Sequence, residues 1–273
     1  MTSLDRGSAS SDLPDDEDRA DPGGGRWGRR KSRDEHEDKH LPLWQETILL
    51  LAIALGLAIL IKAVLVQAFF IPSQSMEPGL KVNDRILVQK VSYWGGGEPQ
   101  RGDVVVFKDP GGWLGSAESS GPSSLVTRAM SKIGLYPSGG HLVKRVIGVE
   151  GDVITCCDKK GRISVNGQPL NEKAYIQLDG ADCNGPMTRT CDWTAGPVPP
   201  DRIFVMGDNR NNSADSTRHM CLDESTGCVP GEEFVPVDLV VGKVFVLLWP
   251  RDHFRWVTRP DSFDDVPASP GDE

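Results

Sequence analysis

The residues with the clearest catalytic potential are two serines that lie two positions apart. Ser73 and Ser75 stand in a proline-bracketed segment, Ile71-Pro-Ser-Gln-Ser-Met-Glu-Pro-Gly-Leu80. A serine hydroxyl becomes a nucleophile when a neighbouring base takes its proton. Both serines could instead be ordinary turn residues, as loop serines commonly are. The catalytic interpretation therefore depends on a base elsewhere in the chain.

Two kinds of base are open to such a serine. A Ser-His-Asp arrangement would use His141, His219 or His253, but the sequence has no Gly-x-Ser-x-Gly turn that favours it. A lysine could act instead if its amine were neutral. Free lysine has a pKa of about 10.4, so burial among apolar residues would have to lower it to about 7–8.

Lys144 meets that requirement. Alternate residues of a strand share a face, so Lys144 would lie with Leu142 and Val146, while Arg145 points to the opposite face. A lone lysine on an apolar face is unusual, because a buried unpaired charge is costly. The alternative is an edge-strand lysine that prevents aggregation.

A third polar cluster follows a predicted strand, in Met206-Gly-Asp-Asn-Arg-Asn-Asn-Ser-Ala-Asp-Ser216. So many Asx and Ser side chains could simply bond to local backbone groups in a structural loop. In a catalytic site, Ser213 could orient an amine and Asp215 could pair with a nearby arginine.

Short β-branched runs bounded by Gly, Pro or Asp predict that the chain after residue 70 is mainly β. An Asn-Gly pair in one run indicates a hairpin, and a glycine in the last run indicates a bulge or bend. Residues 109–140 and 171–200 break this pattern, and we interpret both as insertions on a β core. The predicted strands lie at residues 101–107, 141–149, 161–168, 201–206 and 239–249.

The chain before residue 70 has two parts of opposite character. Residues 1–41 hold many charges and few residues that could build a core, which predicts a solvated, disordered tail. An uncharged run extends from Thr47 to Ile61, and apolar residues continue past Lys62 to Phe70. As a helix this stretch would be about 36 Å long, enough to span a bilayer. We therefore predict a transmembrane anchor at residues 42–70.

Charge on the two sides of the anchor predicts its orientation. Bases cluster before the span and are few after it, so the positive-inside rule places the tail in the cytoplasm and residues 71–273 outside. A cleavable signal peptide ending near Ala68 is an alternative, but the tail is too long and acidic for one, and the apolar run is too long. The clustered bases are Arg26, Arg29, Arg30, Lys31, Arg33 and Lys39.

Cysteine usage agrees with an exported domain. All 6 cysteines follow the predicted span, and an even number on an oxidising side is typical of disulfides. Cys183 with Cys191 and Cys221 with Cys228 are plausible pairs, but other connectivities remain open. A metal site is the weaker alternative, because no Cys-x-x-Cys pair occurs.

The overall charge argues against one broad class of function. The chain has 30 Lys and Arg against 39 Asp and Glu, a net charge of −9. A general nucleic-acid binder would show a basic face instead.

Taken together, these features resemble the bacterial type I signal peptidases, which are membrane-anchored Ser/Lys endopeptidases that remove signal peptides from exported preproteins. The resemblance covers the span and four blocks, but not the two insertions or the tails. It implies a mainly β fold, with a single N-terminal transmembrane helix followed by an exported, antiparallel β-sheet catalytic domain with a smaller insertion region. That domain would cover residues 71–257, before a flexible tail at 258–273. The four blocks are Pro72–Pro78, Arg101–Phe107, Lys144–Gly148 with Gly151–Asp152, and Gly207–Ser216.

The resemblance assigns a role to each matching residue. Ser75 would be the nucleophile and Lys144 the general base. Ser73 falls where a family hydroxyl forms an oxyanion hole with the Ser75 backbone N–H, and Ser213 falls where a hydroxyl helps to hold the lysine amine. The residues expected to have structural roles near the site are Arg145, Asp208, Asn209 and Asp215.

The sequence departs from the family pattern at two places. Asp215 matches an acid that pairs with an arginine, but Thr217 occupies the place where that arginine is often found, and Arg218 follows it. Gly79 replaces a threonine that is common after the proline.

The resemblance also implies partners. The substrates would be preproteins with small residues at positions −3 and −1, adding a strand beside the site. No cofactor, metal or nucleic acid is implied. The protein would be a single-pass protein of the cell membrane, in contact with lipid and with the secretion translocon as a further partner. Trp113 or Leu114 in the first insertion, together with apolar residues around the site, would dip into the membrane.

Three other functions stay open at this point. A self-cleaving Ser/Lys repressor would carry a DNA-binding head rather than a membrane span. A disulfide-stapled ectodomain that only binds a partner would not need the Ser75/Lys144 pair. A peptidase dedicated to one substrate would have the same sequence features as a general one.

Overall fold

The computed structural model describes residues 42–114, 140–185, 190–222 and 229–269. The predicted tail, Cys228 and most of the first insertion lie outside these residues.

One helix among the described residues is long and apolar enough to cross a membrane. Helix α1 covers Leu43–Leu65, and none of its most apolar stretch, Leu43–Leu60, is buried. At 1.5 Å per residue it is about 35 Å long, which exceeds the roughly 30 Å of a bilayer's hydrocarbon core. The helix ends before the apolar run does, because residues 66–70 pair with another strand and bury Phe69.

The larger sheet is antiparallel and carries most of the domain, as the family resemblance implies. Its strands are β1 (Val66–Phe70), β2 (Arg85–Gln89), β3 (Val104–Lys108), β4 (His141–Gly148), β9 (Arg202–Met206), β10 (Val235–Pro236), β11 (Val240–Trp249) and β12 (Arg255–Trp256). They follow the order β1-β2-β11-β3-β4-β9-β10, with β12 paired to β11. The register of β11 shifts between Val240 and Gly242, which confirms the predicted irregularity at the glycine.

A smaller sheet lies within the region between β4 and β9 in sequence. Its strands are β5 (Ile154–Cys156), β6 (Ser164–Val165), β7 (Gln168–Pro169) and β8 (Trp193–Ala195), in the order β7-β6-β5-β8. Asn166 and Gly167 join β6 to β7 with φ angles of 51° and 80°. The predicted Asn-Gly hairpin is therefore confirmed, since this turn needs positive φ at both positions.

The two sheets share a hydrophobic core. Phe204 and Met206 of β9 pack in one buried cluster with Ile154 and Trp193 of the smaller sheet. Each such side chain contributes about 1.5–3 kcal/mol on burial. This packing fixes the end of β9, from which the Gly207–Ser216 loop starts.

Short 3₁₀ helices and a C-terminal strap complete the described chain. The 3₁₀ helices are Val91–Tyr93, Ser216–His219, Val237–Leu239, Arg251–His253 and Asp261–Phe263. In the strap, Phe263 and Val266 join the core shared by the two sheets. Ser269 donates a hydrogen bond to the carbonyl of Glu150.

Trp113 does not reach the surface, so the prediction that it dips into the membrane is wrong. Its ring stacks on His219 at 4.4 Å and meets Phe107 edge-on. Asp109 explains this placement, because its carboxylate accepts hydrogen bonds from the backbone N–H groups of Trp113 and Leu114 and turns the chain inward.

Candidate active site

Buried apolar residues fix the segment that carries Ser75. Ile71, Met76 and Leu80 lie in the same core cluster as residues of β1, β2 and β3. The Ile71 N–H donates to the carbonyl of Asp84, so the segment is tied to the start of β2. Ser75 is 8% exposed as a result, held in a defined place rather than in a mobile turn.

Lys144 and Ser75 meet although they are far apart in sequence. Lys144 Nζ donates a hydrogen bond to Ser75 Oγ at 2.7 Å. Ser73 Oγ lies 3.2 Å from the same oxygen, and either hydroxyl can be the donor. The three side chains named from the sequence as nucleophile, base and oxyanion donor thus form one cluster.

Apolar residues flank Lys144 within the sheet. It lies between the buried residues Leu142 and Val146 on β4, and pairs across the sheet with the buried Val105 of β3. Lys144 is 3% exposed. Burial of this kind disfavours the charged form of an amine, which is the condition for lysine to act as a base.

Gly207 brings the loop after β9 against the backbone of Ser75. A Cβ at this position would lie 2.6 Å from Cβ of Ser213, and closer still to the Ser213 hydroxyl and the Ser75 carbonyl oxygen. The Asn209 N–H also donates to the Ser75 carbonyl, at 3.0 Å. The loop therefore sets the position of the Ser75 main chain.

Two polar atoms of this loop have no hydrogen-bond partner in the described part of the chain. They are Oγ of Ser213 and Oδ1 of Asn209, and both residues are buried. The Ser213 hydroxyl lies against Gly207, and its role in holding the lysine amine stays a prediction. A buried polar atom without a partner costs about 1–3 kcal/mol, and such atoms are commonly satisfied by an ordered water or a ligand.

Asp215 holds the loop through neighbours rather than through an arginine side chain. Its Oδ2 accepts from the Gly207 N–H at 2.8 Å, and its Oδ1 accepts from the N–H and hydroxyl of Thr217 at 3.1 and 2.7 Å. Arg218 is exposed. Thr217 thus supplies the donors that the usual arginine would have supplied.

Arg145, which follows Lys144 on β4, forms a buried ion pair with Asp208. Two hydrogen bonds of 2.8 and 2.7 Å join the guanidinium to the carboxylate, and Arg145 also donates to the carbonyl of Gly102. Burial opposes the charge of Arg145, but the attraction and hydrogen bonds of Asp208 outweigh it, so the pKa of Arg145 is raised. The pair joins the strand that carries Lys144 to the loop that contacts Ser75.

A second buried ion pair is one that the sequence alone does not predict. Arg210 lies in the same loop and pairs with Glu172 of the second insertion at 2.6 Å, both fully buried. No periodicity or spacing marks Glu172, because its partner lies 38 positions away.

The cysteines in and near the smaller sheet form disulfides. Cys183 is bonded to Cys191, one of the pairs considered from the sequence, and Cys156 is bonded to Cys157. Cys221 is also disulfide-bonded. The sulfurs of Cys156, Cys157 and Cys183 lie within 4.8 Å of one another, but a disulfide sulfur is not the thiolate that metals bind.

Known proteins resemble this chain over most of its length. The family model for signal peptidase, peptidase S26, matches residues 44–249. Signal peptidase I of Mycobacterium tuberculosis is 39% identical over 229 residues, which cover 78% of this chain and 74% of the relative. Probable signal peptidase I of Mycobacterium leprae is 37% identical, covering 80% and 79%. Signal peptidase I of Leptolyngbya laminosa is 33% identical, covering 80% and 86%.

The matched region begins at the second residue of α1, ends with β11 and contains Ser73, Ser75 and Lys144. The chain belongs to the signal peptidase family, peptidase S26, and is a serine endopeptidase of the signal peptidase I type.

Proposed function

We propose that this protein is a membrane-anchored endopeptidase that removes signal peptides from exported preproteins through a Ser75/Lys144 dyad. The observation that carries the proposal is the 2.7 Å hydrogen bond from Lys144 Nζ to Ser75 Oγ within a buried, apolar setting. At this distance a neutral Lys144 amine can take the proton of the Ser75 hydroxyl, which makes Ser75 a nucleophile.

In the first step Lys144 takes the proton of Ser75 as Oγ attacks the carbonyl carbon of the scissile bond. Negative charge then develops on the carbonyl oxygen. The Ser73 hydroxyl and the Ser75 N–H stabilise it, and one donor of this kind is worth about 2.7–4 kcal/mol in other hydrolases.

In the second step the tetrahedral intermediate collapses. Lys144, now an ammonium, gives its proton to the leaving amine, and the mature protein departs. The signal peptide stays bonded to Ser75 Oγ as an ester. The neutral amine of Lys144 then takes a proton from a water molecule that attacks the ester carbonyl. When the C–Oγ bond breaks, the Lys144 ammonium returns that proton to Ser75 Oγ, and the signal peptide leaves with a new C-terminal carboxyl group.

Helix α1 and an exposed aromatic patch support the proposal that the protein acts at a membrane. The patch consists of Trp249, Phe254 and Trp256, which are 49%, 53% and 65% exposed. Arg255, between the last two, donates to the carbonyl of Gly79, so the patch adjoins the segment that carries Ser75. Aromatic side chains favour the membrane interface. We propose that Ser75 meets the cleavage site just outside the bilayer, and the cluster of bases before the helix supports an N-terminal tail in the cytoplasm.

Cleavage of a preprotein by the full-length protein in lipid vesicles tests the proposal. We expect a single cut after a small residue, with a small residue also at position −3. Ser75→Ala and Lys144→Ala should abolish the cut, because neither nucleophilic attack nor proton transfer can then occur. Lys144→Arg is a matched control that keeps a positive charge but cannot act as a base.

A cut that survives Ser75→Ala would overturn the assignment of the nucleophile. A folded wild-type protein that cuts one preprotein out of a varied panel would show a dedicated peptidase. A folded protein that cuts none, across several lipids, would contradict the proposed function.

A further inference from the structure

The ion pair of Arg210 and Glu172 grips the loop that contacts the nucleophile. Arg210 Nη2 lies 2.6 Å from Glu172 Oε1, and Nη1 lies 3.1 Å from Oε2. The guanidinium also donates hydrogen bonds to two backbone carbonyls. Its Nε donates to the carbonyl of Gly207 at 3.0 Å, and Nη1 donates to the carbonyl of Asn184 at 2.6 Å.

Glu172 is held as firmly as the arginine that it binds. The Tyr175 hydroxyl donates to Oε1 at 3.0 Å, and the side-chain amide of Asn184 donates to Oε2 at 3.0 Å. Burial opposes the charge of Arg210, but the attraction and the hydrogen bonds of Glu172, together with the attraction of Tyr175 and Asp208, outweigh it, so the pKa of Arg210 is raised. A buried ion pair seldom stabilises a fold more than apolar residues of similar volume, so its geometry is the more informative property.

These hydrogen bonds connect the ion pair to the backbone of Gly207. Its carbonyl accepts from Arg210, and its N–H donates to Asp215, so buried side chains hold both ends of this residue. Its Cα packs against the Ser75 carbonyl and Ser213 with no room for a Cβ. A shift of the Gly207 carbonyl would therefore move the Ser75 main chain.

The insertion also holds the loop through its backbone. The Gln177 N–H donates to the carbonyl of Asp208 at 2.8 Å, and the Gln177 carbonyl accepts from the Arg210 N–H at 2.9 Å. One residue earlier, Ile176 forms a bridge with Pro78, three residues after Ser75. Residues 172–184 thus contact both the nucleophile's segment and the loop.

We infer that Glu172 is a positioning residue for the peptidase reaction: through Arg210 it holds the Gly207 carbonyl and so keeps Ser75 in line with Lys144. This inference rests on the proposed function. It gives the second insertion a role in the active site, in addition to its place in the core.

Three variants of the full-length protein test the inference. Glu172→Met combined with Arg210→Met removes both charges while keeping volume, so the fold is expected to survive. Tyr175→Phe is milder, since it removes the hydroxyl that donates to Glu172 and keeps the ring. Asp152→Asn is the matched control, because Asp152 is a buried carboxylate that pairs with Arg101 and whose partners lie outside the loop.

We expect the double variant to lower kcat for preprotein cleavage by at least about tenfold with little change in KM, because small displacements of reacting groups cost that much. Tyr175→Phe should lower kcat by about threefold. The acidic limb of the pH profile of kcat/KM should move to higher pH in the double variant, because a looser loop admits water that favours the ammonium form of Lys144. Asp152→Asn should lower thermal stability and leave kcat and this limb unchanged.

Hydrogen exchange of the loop amides gives a readout that does not need activity. The Asn209 and Arg210 amides should exchange faster in the double variant, and not in Asp152→Asn. A wild-type kcat in Tyr175→Phe, or in the double variant if it folds, would overturn the inference, as would unchanged exchange of the loop. Failure of the wild type itself to cut would instead contradict the proposed function, and exchange would still decide whether Glu172 holds the loop.

Discussion

Replacing Gly207 by alanine tests how closely the loop must approach the nucleophile. The added Cβ would lie 2.6 Å from Cβ of Ser213, whereas carbon atoms in contact are normally about 3.5–4.0 Å apart. The Ser75 carbonyl is nearer still, and it belongs to the main chain of the nucleophile. One of these groups must therefore move by about 1 Å, the difference between the two distances.

The loop offers little freedom for that movement on its own. Asp215 holds the Gly207 N–H and Arg210 holds the carbonyl, so the displacement passes to Ser75. A misplacement of about 1 Å at a reacting group costs on the order of 10²-fold in rate. This corresponds to about 2.7 kcal/mol of transition-state stabilisation. Crowding should also lower the free energy of unfolding by about 1–3 kcal/mol.

Steady-state cleavage of a preprotein measures this effect, with a thermal melt to show that the variant is folded. Gly79→Ala is the matched control on the nucleophile's own segment. Its Cβ would lie 3.2 Å from the flexible end of Arg255 and 3.4 Å from the nearest backbone atom, so kcat/KM should stay near that of the wild type. If folded Gly207→Ala cleaves as fast as Gly79→Ala, the close approach does not position Ser75, and the reasoning is wrong.

Two further predictions concern single side chains. Ser73→Ala should lower kcat by about 10²–10³-fold with KM nearly unchanged, whereas Ser73→Thr should keep the oxyanion donor and most of the activity; equal losses in both would point to packing instead. Burial lowers the pKa of His219, so the unfolded chain binds a proton at that residue at higher pH than the folded chain does. The contribution of neutral His219 to the free energy of unfolding should therefore be fully present above about pH 6.5 and fall as the pH decreases toward the folded pKa. His219→Phe can keep the stacking on Trp113, and it should flatten this pH dependence in thermal melts recorded at a series of pH values.

The parts of the fold that follow from local patterns can be predicted from the sequence. The alternation around Lys144 is enough to place its side chain with Leu142 and Val146, because side chains of a strand point to opposite faces with a period of two. The Asn166-Gly167 turn is equally local, since few residue pairs accept positive φ at both positions. The apolar run predicts the existence of helix α1 but not its end at Leu65, because pairing with β2 overrides the run there.

The contact between Ser75 and Lys144 is expected from the family resemblance, but not from spacing, since they lie 69 positions apart. Spacing in the sequence also gives no indication of the contacts made by residues 171–200, which it identifies only as an insertion. The residues around Glu172 in the sequence do not distinguish it from a solvated acid. Its partner is the Arg210 guanidinium, which lies in the loop after β9 and contacts Glu172 only in the folded chain. Thr217 is the converse case: the missing arginine suggests a loss, yet Asp215 finds its donors two residues away. Residues whose side chains could carry out the reaction can thus be identified in a sequence. The residues that hold those side chains in position can be identified once the contacts are known.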